Sequence, residues 1–222
     1  MTTLIAVPVK DLVNAKQRLI PLLAPAERAE LARAMLEDVL HALGRACVGD
    51  VLVVTRDPAV EVLARRHGAA TLGEESNRGH TEAVAHAQRA ALVRGARRFV
   101  TIPGDVPCTT PDEVTALAAA LPSGPGAAFV PSLSGFGTNA VLLEPPDGLP
   151  LKFGEPSFEN HLGAARAAGL QPVVLHLPGI GLDIDGPDDL ALLLERGPDT
   201  RSAGLLRSLG VAARLAAHRG GA

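Results

Sequence analysis

The chain has 222 residues, 47% of them hydrophobic, and a formal net charge of −3. A chain this long buries one sizeable core without covalent staples, and so apolar a composition excludes disorder over most of its length. Aromatic residues make up only 2%, with no Trp and no Tyr, so stacking platforms for single-stranded nucleic acid are lacking, and the charge balance gives no basic footprint for a duplex.

Two cysteines, Cys47 and Cys108, speak for a reducing compartment rather than a disulfide scaffold. Met1 to Lys10 holds a short apolar run without the basic start or cleavage site of a secretion signal, and no apolar stretch is long enough to span a bilayer. A cytoplasmic location, away from membrane and nucleic acid, is expected.

In chain order, Leu4 to Val9 reads as a buried strand and Lys10 to Ala24 as a loop. Leu31, Met35, Val39 and Leu43 recur at helical spacing and predict a helix over Ala26 to Leu43. Val51 to Thr55 is a second strand, and Asp57-Pro58 caps and opens a helix over Ala59 to His67. Thr71-Leu72 is a short strand. Thr81 caps a helix running to Gly95, and Phe99 to Ile102 is a further buried strand. Thr110, Pro111 and Glu113 form a capping box that starts a helix reaching about Leu121. Up to this point strand and helix alternate, which predicts a parallel sheet with helices on both faces.

The second part differs. Ala127 to Val130 and Ala140 to Leu143 are short strands around a Ser/Gly-rich loop, and Pro156 to Ala168 is a helix closed by Gly169. Val173 to Leu177 and Leu182 to Ile184 read as strands, Asp185-Gly186-Pro187 starts a helix, and Thr200 to Ala217 is one final helix. The expectation is a single α/β domain, residues 1–217, with a mixed, mostly parallel central sheet flanked by helices; residues 218–222 are expected as a frayed tail.

Asp105, in Pro103-Gly104-Asp105-Val106-Pro107, leaves the carboxyl end of a buried strand, where open α/β sheets bind ligands. A carboxylate on so stiff a loop suits Mg²⁺, which takes oxygen ligands and needs only one or two from protein; a turn aspartate bonding its own backbone is the alternative. In Leu182-Asp183-Ile184-Asp185-Gly186-Pro187, strand alternation puts both carboxylates on one face, where a cation could share them. Asp185 could instead cap the helix that follows. Lys10, Lys16 and Arg18, after the first strand, suit a polyphosphate or are an ordinary solvated loop. Thr138, in Ser134-Gly135-Phe136-Gly137-Thr138-Asn139, is placed to meet an anion or sits in a simple hairpin turn. Gly154 and Ser157 lie near a helix N-terminus, a natural seat for phosphate or carboxylate. His80, His86, His161 and His176 read as structural or surface residues, and Cys108 as a small loop residue.

These pieces, in order, resemble the CofC/FbiD guanylyltransferases: Pro8-Val9-Lys10 with Ala15-Lys16-Gln17-Arg18-Leu19, Gly104-Asp105-Val106-Pro107, Gly135 to Ala140, Phe153 to Phe158 and Leu182 to Pro187. The resemblance implies a GT-A-like, Rossmann-like nucleotidyltransferase fold. It also implies an enzyme joining GTP to 2-phospho-L-lactate, phosphoenolpyruvate or 3-phosphoglycerate, with release of pyrophosphate, in biosynthesis of the deazaflavin coenzyme factor 420. By the same resemblance Asp105, Asp183 and Asp185 hold Mg²⁺, Thr138, Gly154 and Ser157 bind the phospho-acid, and Lys10, Lys16, Arg18 and Thr81 face the nucleotide, with Asp105, Lys16 and Arg18 catalytic. Where relatives carry Gly-Leu-Asn-x-Ala, this chain has Gly79-His80-Thr81-Glu82-Ala83, so Thr81 stands in place of Asn. A downstream deazaflavin transferase is the implied partner, and a homodimer is compatible. Another nucleotidyltransferase or nucleotide-sugar glycosyltransferase of the same fold, or a non-catalytic nucleotide-binding protein, are the alternatives.

Overall fold

The computed structural model describes residues 2–74, 79–122 and 124–220. Strands β1 (Thr3–Pro8), β2 (Asp50–Thr55), β3 (Ala70–Gly73), β4 (Arg98–Thr101), β5 (Gly126–Pro131), β6 (Thr138–Glu144) and β7 (Val173–Val174) form one sheet in the order β3-β2-β1-β4-β6-β5-β7. β1 pairs in parallel with β2 and β4, and β2 with β3. β6 runs antiparallel to both β4 and β5, and β5 is parallel to β7. The mixed, mostly parallel sheet is the one the sequence predicts.

Apolar residues on both sides of the strands bury two cores. On one face α1 (Pro25–Ala46) presents Leu31, Met35, Leu36, Val39 and Leu43, joined by α2 (Pro58–Arg66) and α4 (Pro111–Ala118). On the other, α3 (His80–Val93) and α5 (Ser157–Ala167) pack Val84, Ala87, Ala91, Leu162 and Ala165 against Phe99, Phe129 and Val141. Each fully buried Leu, Val or Phe side chain contributes roughly 1.5–3 kcal/mol, and these layers fix where the strand ends point. Asp57 caps α2 through the Ala59 N–H, and the capping box of Thr110 and Glu113 forms as its residue types dictate.

Several expected elements differ. Residues 182–184 form no strand: the Ile184 N–H goes to the Asp105 carbonyl (3.0 Å), and the apolar alternation reflects Leu182 and Ile184 entering the core singly. The strand expected over 173–177 is only Val173–Val174. The final helix is two, α7 (Arg201–Ser208) and α8 (Val211–Gly220), because Gly210 adopts φ +65° and ends the first. α8 carries His218 to Gly220 in the helix, within the expected tail, while residues 221–222 lie outside the described part. Thr81 is not a cap; α3 starts at His80, two residues earlier than that cap implies, with Gly79 before it at φ +98°. α6 (Pro187–Arg196) begins as expected at Pro187.

Candidate active site

Asp105 sits on the loop that follows β4, at the carboxyl edge of the parallel strands. The Ile102 N–H still bonds the Ala6 carbonyl (3.1 Å), so the loop starts from a fixed point. At Gly104 a Cβ would come within 3.2 Å of Val9 and 3.3 Å of Leu36, so a missing side chain is what lets the loop lie against β1 and α1. The bond from Ile184 to the Asp105 carbonyl ties the segment carrying Asp183 and Asp185 to the same place. Proximity that was expected from strand alternation thus comes from this backbone contact.

Lys16 completes the cluster. Its backbone is left-handed (φ 55°), and its side chain, only 8% exposed, puts Nζ 2.6 Å from Asp105 Oδ2 and 2.9 Å from Asp185 Oδ1. Burial alone would lower the Lys16 pKa, but the two carboxylates outweigh it and hold the ammonium above its ordinary value. For Asp105 burial pushes upward, and the Lys16 charge outweighs it, holding the carboxyl below its usual range. Arg18 is mostly exposed, its Nη1 4.0 Å from Asp185 Oδ2, close enough to add charge but little stability.

Asp183 is held by Asn139 of β6 and not by Lys16. It accepts a bond from Asn139 Nδ2 (3.0 Å), and its pKa is raised, first by burial and then by the charges of Asp105 and Asp185 against the opposing pull of Asn139. Asp185 is no helix cap: the N–H groups of Asp185 and Gly186 both go to Asp189 Oδ2, at 2.9 and 2.7 Å. The Asp185 carboxylate therefore stays available to the cleft. Among the described residues no group of three His, Cys, Asp or Glu side chains is spaced to hold a metal, so the expected trio does not converge. What the structure offers is Asp105 and Asp185 on either side of a cation, with Asp183 nearby.

A cavity of about 570 Å³ is lined by Lys10, Lys16, Arg18, His80, Asp105 and Asp185. The three cations of the first loop thus share one cleft with two of the three expected carboxylates. A second group lies between β6 and α5. The register slips by one residue between Val130 and Pro131, a bulge that re-aims side chains at the start of β6. Asn139 bonds the Ile180 carbonyl and Asp183, while Thr138 meets Ser157 and His161 of α5. Gly154, at φ +113°, lies in the loop before α5. Thr81 does not line the cleft. Its hydroxyl accepts the Phe153 N–H (2.9 Å), clipping α3 to that loop.

Three residues carry more than the sequence reading gave them. His80 lines the cleft, meets Phe153 edge-on (4.4 Å), and is pushed down to about 4 mainly by burial, so it is neutral at pH 7. Asn139 joins the carboxylate cluster to β6. His161 is buried against Thr138; it stands four residues after Ser157, and that spacing on one helical face was the signal available in the sequence. Cys108 fits its reading as a loop residue: burial first, then the charges of Asp38 and Glu113, push its thiol up to about 11, and such a thiol is a poor nucleophile at neutral pH.

Solved structures share this architecture. A Desulfovibrio desulfuricans G20 protein assigned to the nucleotide-diphospho-sugar transferases superposes with a TM-score of 0.77 at 20% identity, covering 97% of each chain. A nucleotidyl transferase from Methanothermobacter superposes at 0.62 and 16% identity, over 93% of this chain and 98% of that one. Glucosyl-3-phosphoglycerate synthase from Mycobacterium tuberculosis, solved with Mg²⁺ and uridine diphosphate, superposes at 0.56 and 14% identity, over 79% and 69%. The fold is one that nucleotidyl transferases and nucleotide-sugar transferases share. The family model described as "Guanylyl transferase CofC like" matches residues 3–220, and the chain belongs to that family. The phosphoenolpyruvate guanylyltransferase of Rubrobacter xylanophilus is 42% identical over 197 residues, 89% of this chain and 96% of that protein.

Proposed function

We propose that this enzyme transfers the guanylyl group of GTP to a small phosphorylated acid, with release of pyrophosphate, as a step towards coenzyme factor 420. The acid belongs to the class of phosphoenolpyruvate, 2-phospho-L-lactate or 3-phosphoglycerate, and the R. xylanophilus relative favours the first. The observation that carries the reading is the cleft in which Lys10, Lys16 and Arg18 meet Asp105 and Asp185, with Asp183 linked through Asn139 to the strand that carries Thr138 and its partner Ser157.

A phosphate oxygen of the acid is already anionic at neutral pH, so no general base is needed. It attacks the α-phosphorus of GTP; one P–O bond forms as the α–β bridging P–O bond breaks, and pyrophosphate leaves with the electron pair. Neutral His80 adds no charge to this cleft. Lys16 and Arg18 stabilise the negative charge on the transferred and leaving phosphates, and Thr138, Ser157 and the Gly154 backbone seat the acid.

The donor set suits Mg²⁺. The side chains are hard oxygens, and the Lys16 ammonium already stands where a cation satisfies both Asp105 and Asp185. Asp105 and Asp185 would hold the ion, with Asp183 behind them; two carboxylates suffice when substrate phosphates supply further ligands. Bound there, Mg²⁺ would neutralise charge on the α-phosphate and the leaving pyrophosphate. Among the described residues no helix is long and apolar enough to cross a membrane, and the two free cysteines suit a cytoplasmic enzyme handing its product to a deazaflavin transferase.

The test is pyrophosphate release from GTP with Mg²⁺ and each of the three acids, with the labile product trapped by a downstream transferase and the deazaflavin precursor. Release with GTP and one of these acids, and not with ATP or CTP, is expected. Release only with a sugar phosphate, or none with any acid, would sink the proposal.

A further inference from the structure

Between β6 and α5 runs a buried chain of hydrogen bonds whose direction is fixed at one end. The Lys152 backbone N–H can only donate, and it donates to His161 Nε2 (3.0 Å). Nε2 therefore carries no proton, and the neutral ring keeps its proton on Nδ1. Nδ1 lies 2.9 Å from Thr138 Oγ1, so the ring donates to that hydroxyl. Ser157 Oγ accepts the Thr138 backbone N–H (3.0 Å) and sends its own proton to Thr138 Oγ1 (3.3 Å).

The Thr138 oxygen thus receives from two donors, which uses its two lone pairs. Its own hydrogen is then left to point at something other than His161 or Ser157. Buried polar groups are almost always paired, so a ligand is the natural acceptor for the hydroxyl of a residue only 7% exposed. The ring that imposes this direction is itself held. His161 is 2% exposed, stacked on Phe129 (centroids 5.8 Å apart, planes 11° apart) and met edge-on by Phe153 at 5.2 Å.

We propose that His161 is a positioning residue that makes the Thr138 hydroxyl an obligate donor towards the anionic end of the acid substrate. The proposal rests on the reading above that Thr138 and Ser157 seat that acid. His161 touches neither the acid nor the reacting atoms. Its consequence is selectivity: a donor-only hydroxyl matches an acceptor-only phosphate or carboxylate, whereas a ligand ammonium would set donor against donor.

The test compares KM values for GTP and for whichever of the three acids the wild type uses. His161→Leu should raise the KM for the acid about tenfold, the loss of one hydrogen bond to a charged group, while the KM for GTP stays within about twofold. His161→Asn, whose amide N–H can replace Nδ1–H, should recover most of the loss, and keeps the test open if the Leu variant folds poorly. Thr138→Val should raise the acid KM alone to a similar extent, and adding His161→Leu to it should cost nothing more. The ¹⁵N spectrum of the free enzyme should show His161 as the Nδ1–H tautomer. Equal rises in both KM values, additive effects of the two substitutions, or an Nε2–H tautomer would overturn the proposal. If the wild type releases no pyrophosphate with any acid, the functional reading fails by itself. Calorimetric binding of phosphoenolpyruvate to the same variants then decides: weakening in His161→Leu supports the positioning role, and unchanged binding, or none in the wild type, overturns it.

Discussion

Two clusters of carboxylates and cations lie at opposite ends of β4, and they are balanced in opposite senses. At the start of the strand Glu144 is buried between Arg98 (2.6 Å) and Arg97 (3.2 Å), and Arg98 also donates to the carbonyls of Ala118 and Leu121. Cations outnumber the carboxylate there. Beyond the end of the strand one buried ammonium, Lys16, makes the close contacts to both Asp105 and Asp185, with Asp183 close by and only the mostly exposed Arg18 adding charge at 4.0 Å, so at contact distance the carboxylates outnumber the cation. A buried pair that is complete ties elements together; a cluster short of positive charge is one that a substrate's cation can enter.

This contrast can be broken by substitution. The largest effect should come from Asp105→Asn, which keeps the shape of the loop and removes the charge. Turnover should fall by about a hundredfold or more with the circular dichroism spectrum unchanged, and near-normal turnover would take Asp105 out of the mechanism. On stability, Glu144→Gln should cost about 2–3 kcal/mol, chiefly by leaving the buried Arg98 guanidinium without its charged partner while the largely exposed Arg97 turns to solvent, and Mg²⁺ should not restore it. Lys16→Met should cost about 2 kcal/mol, reduced from a fully buried value because Asp105 and Asp185 are partly solvated, and here Mg²⁺ should restore much of the loss. Denaturant midpoints with and without the metal check both, and an equal response to Mg²⁺ in the two variants would erase the distinction.

The smallest effect is a pH dependence. Burial pushes His161 from an ordinary 6.5 down to about 4. Between those values the unfolded chain takes up a proton that the folded chain refuses, so stability is complete above about pH 6.5 and declines as pH falls towards 4. At pH 5.5 the loss from this group should be about 1 kcal/mol relative to neutral pH. Denaturant unfolding of the wild type and of His161→Asn at both pH values measures it, and the variant should lose less.

Strands apolar on both faces and helices with clear caps were legible in the sequence, because period and end chemistry are local. The Asp105 loop was legible for the same reason: a buried strand, then a glycine and two prolines. Residues 182–184 were not, since isolated apolar residues dropping into a core alternate as a strand does, and only the Ile184 bond to the Asp105 carbonyl tells the two apart. The single final helix failed at Gly210, where one backbone angle outweighs an unbroken Leu and Ala pattern. Lys16 read as a cation of the first loop, but its position between two carboxylates depends on contacts 89 and 169 residues away along the chain. His161 escaped because its meaning lies in which of its nitrogens carries the proton, and that depends on a backbone N–H from another segment.

The bond between Asp189 and the start of α6 has one more consequence. Every helix start asks for an acceptor, and in Asp185-Gly186-Pro187 the nearest carboxylate is Asp185. Asp189, one turn into the helix, meets that demand instead. The chain thus assigns two duties to two aspartates four positions apart, one architectural and one chemical. A lineage that lost Asp189 would press Asp185 into service as an anchor, and the cleft would lose a charge although no residue lining it had changed.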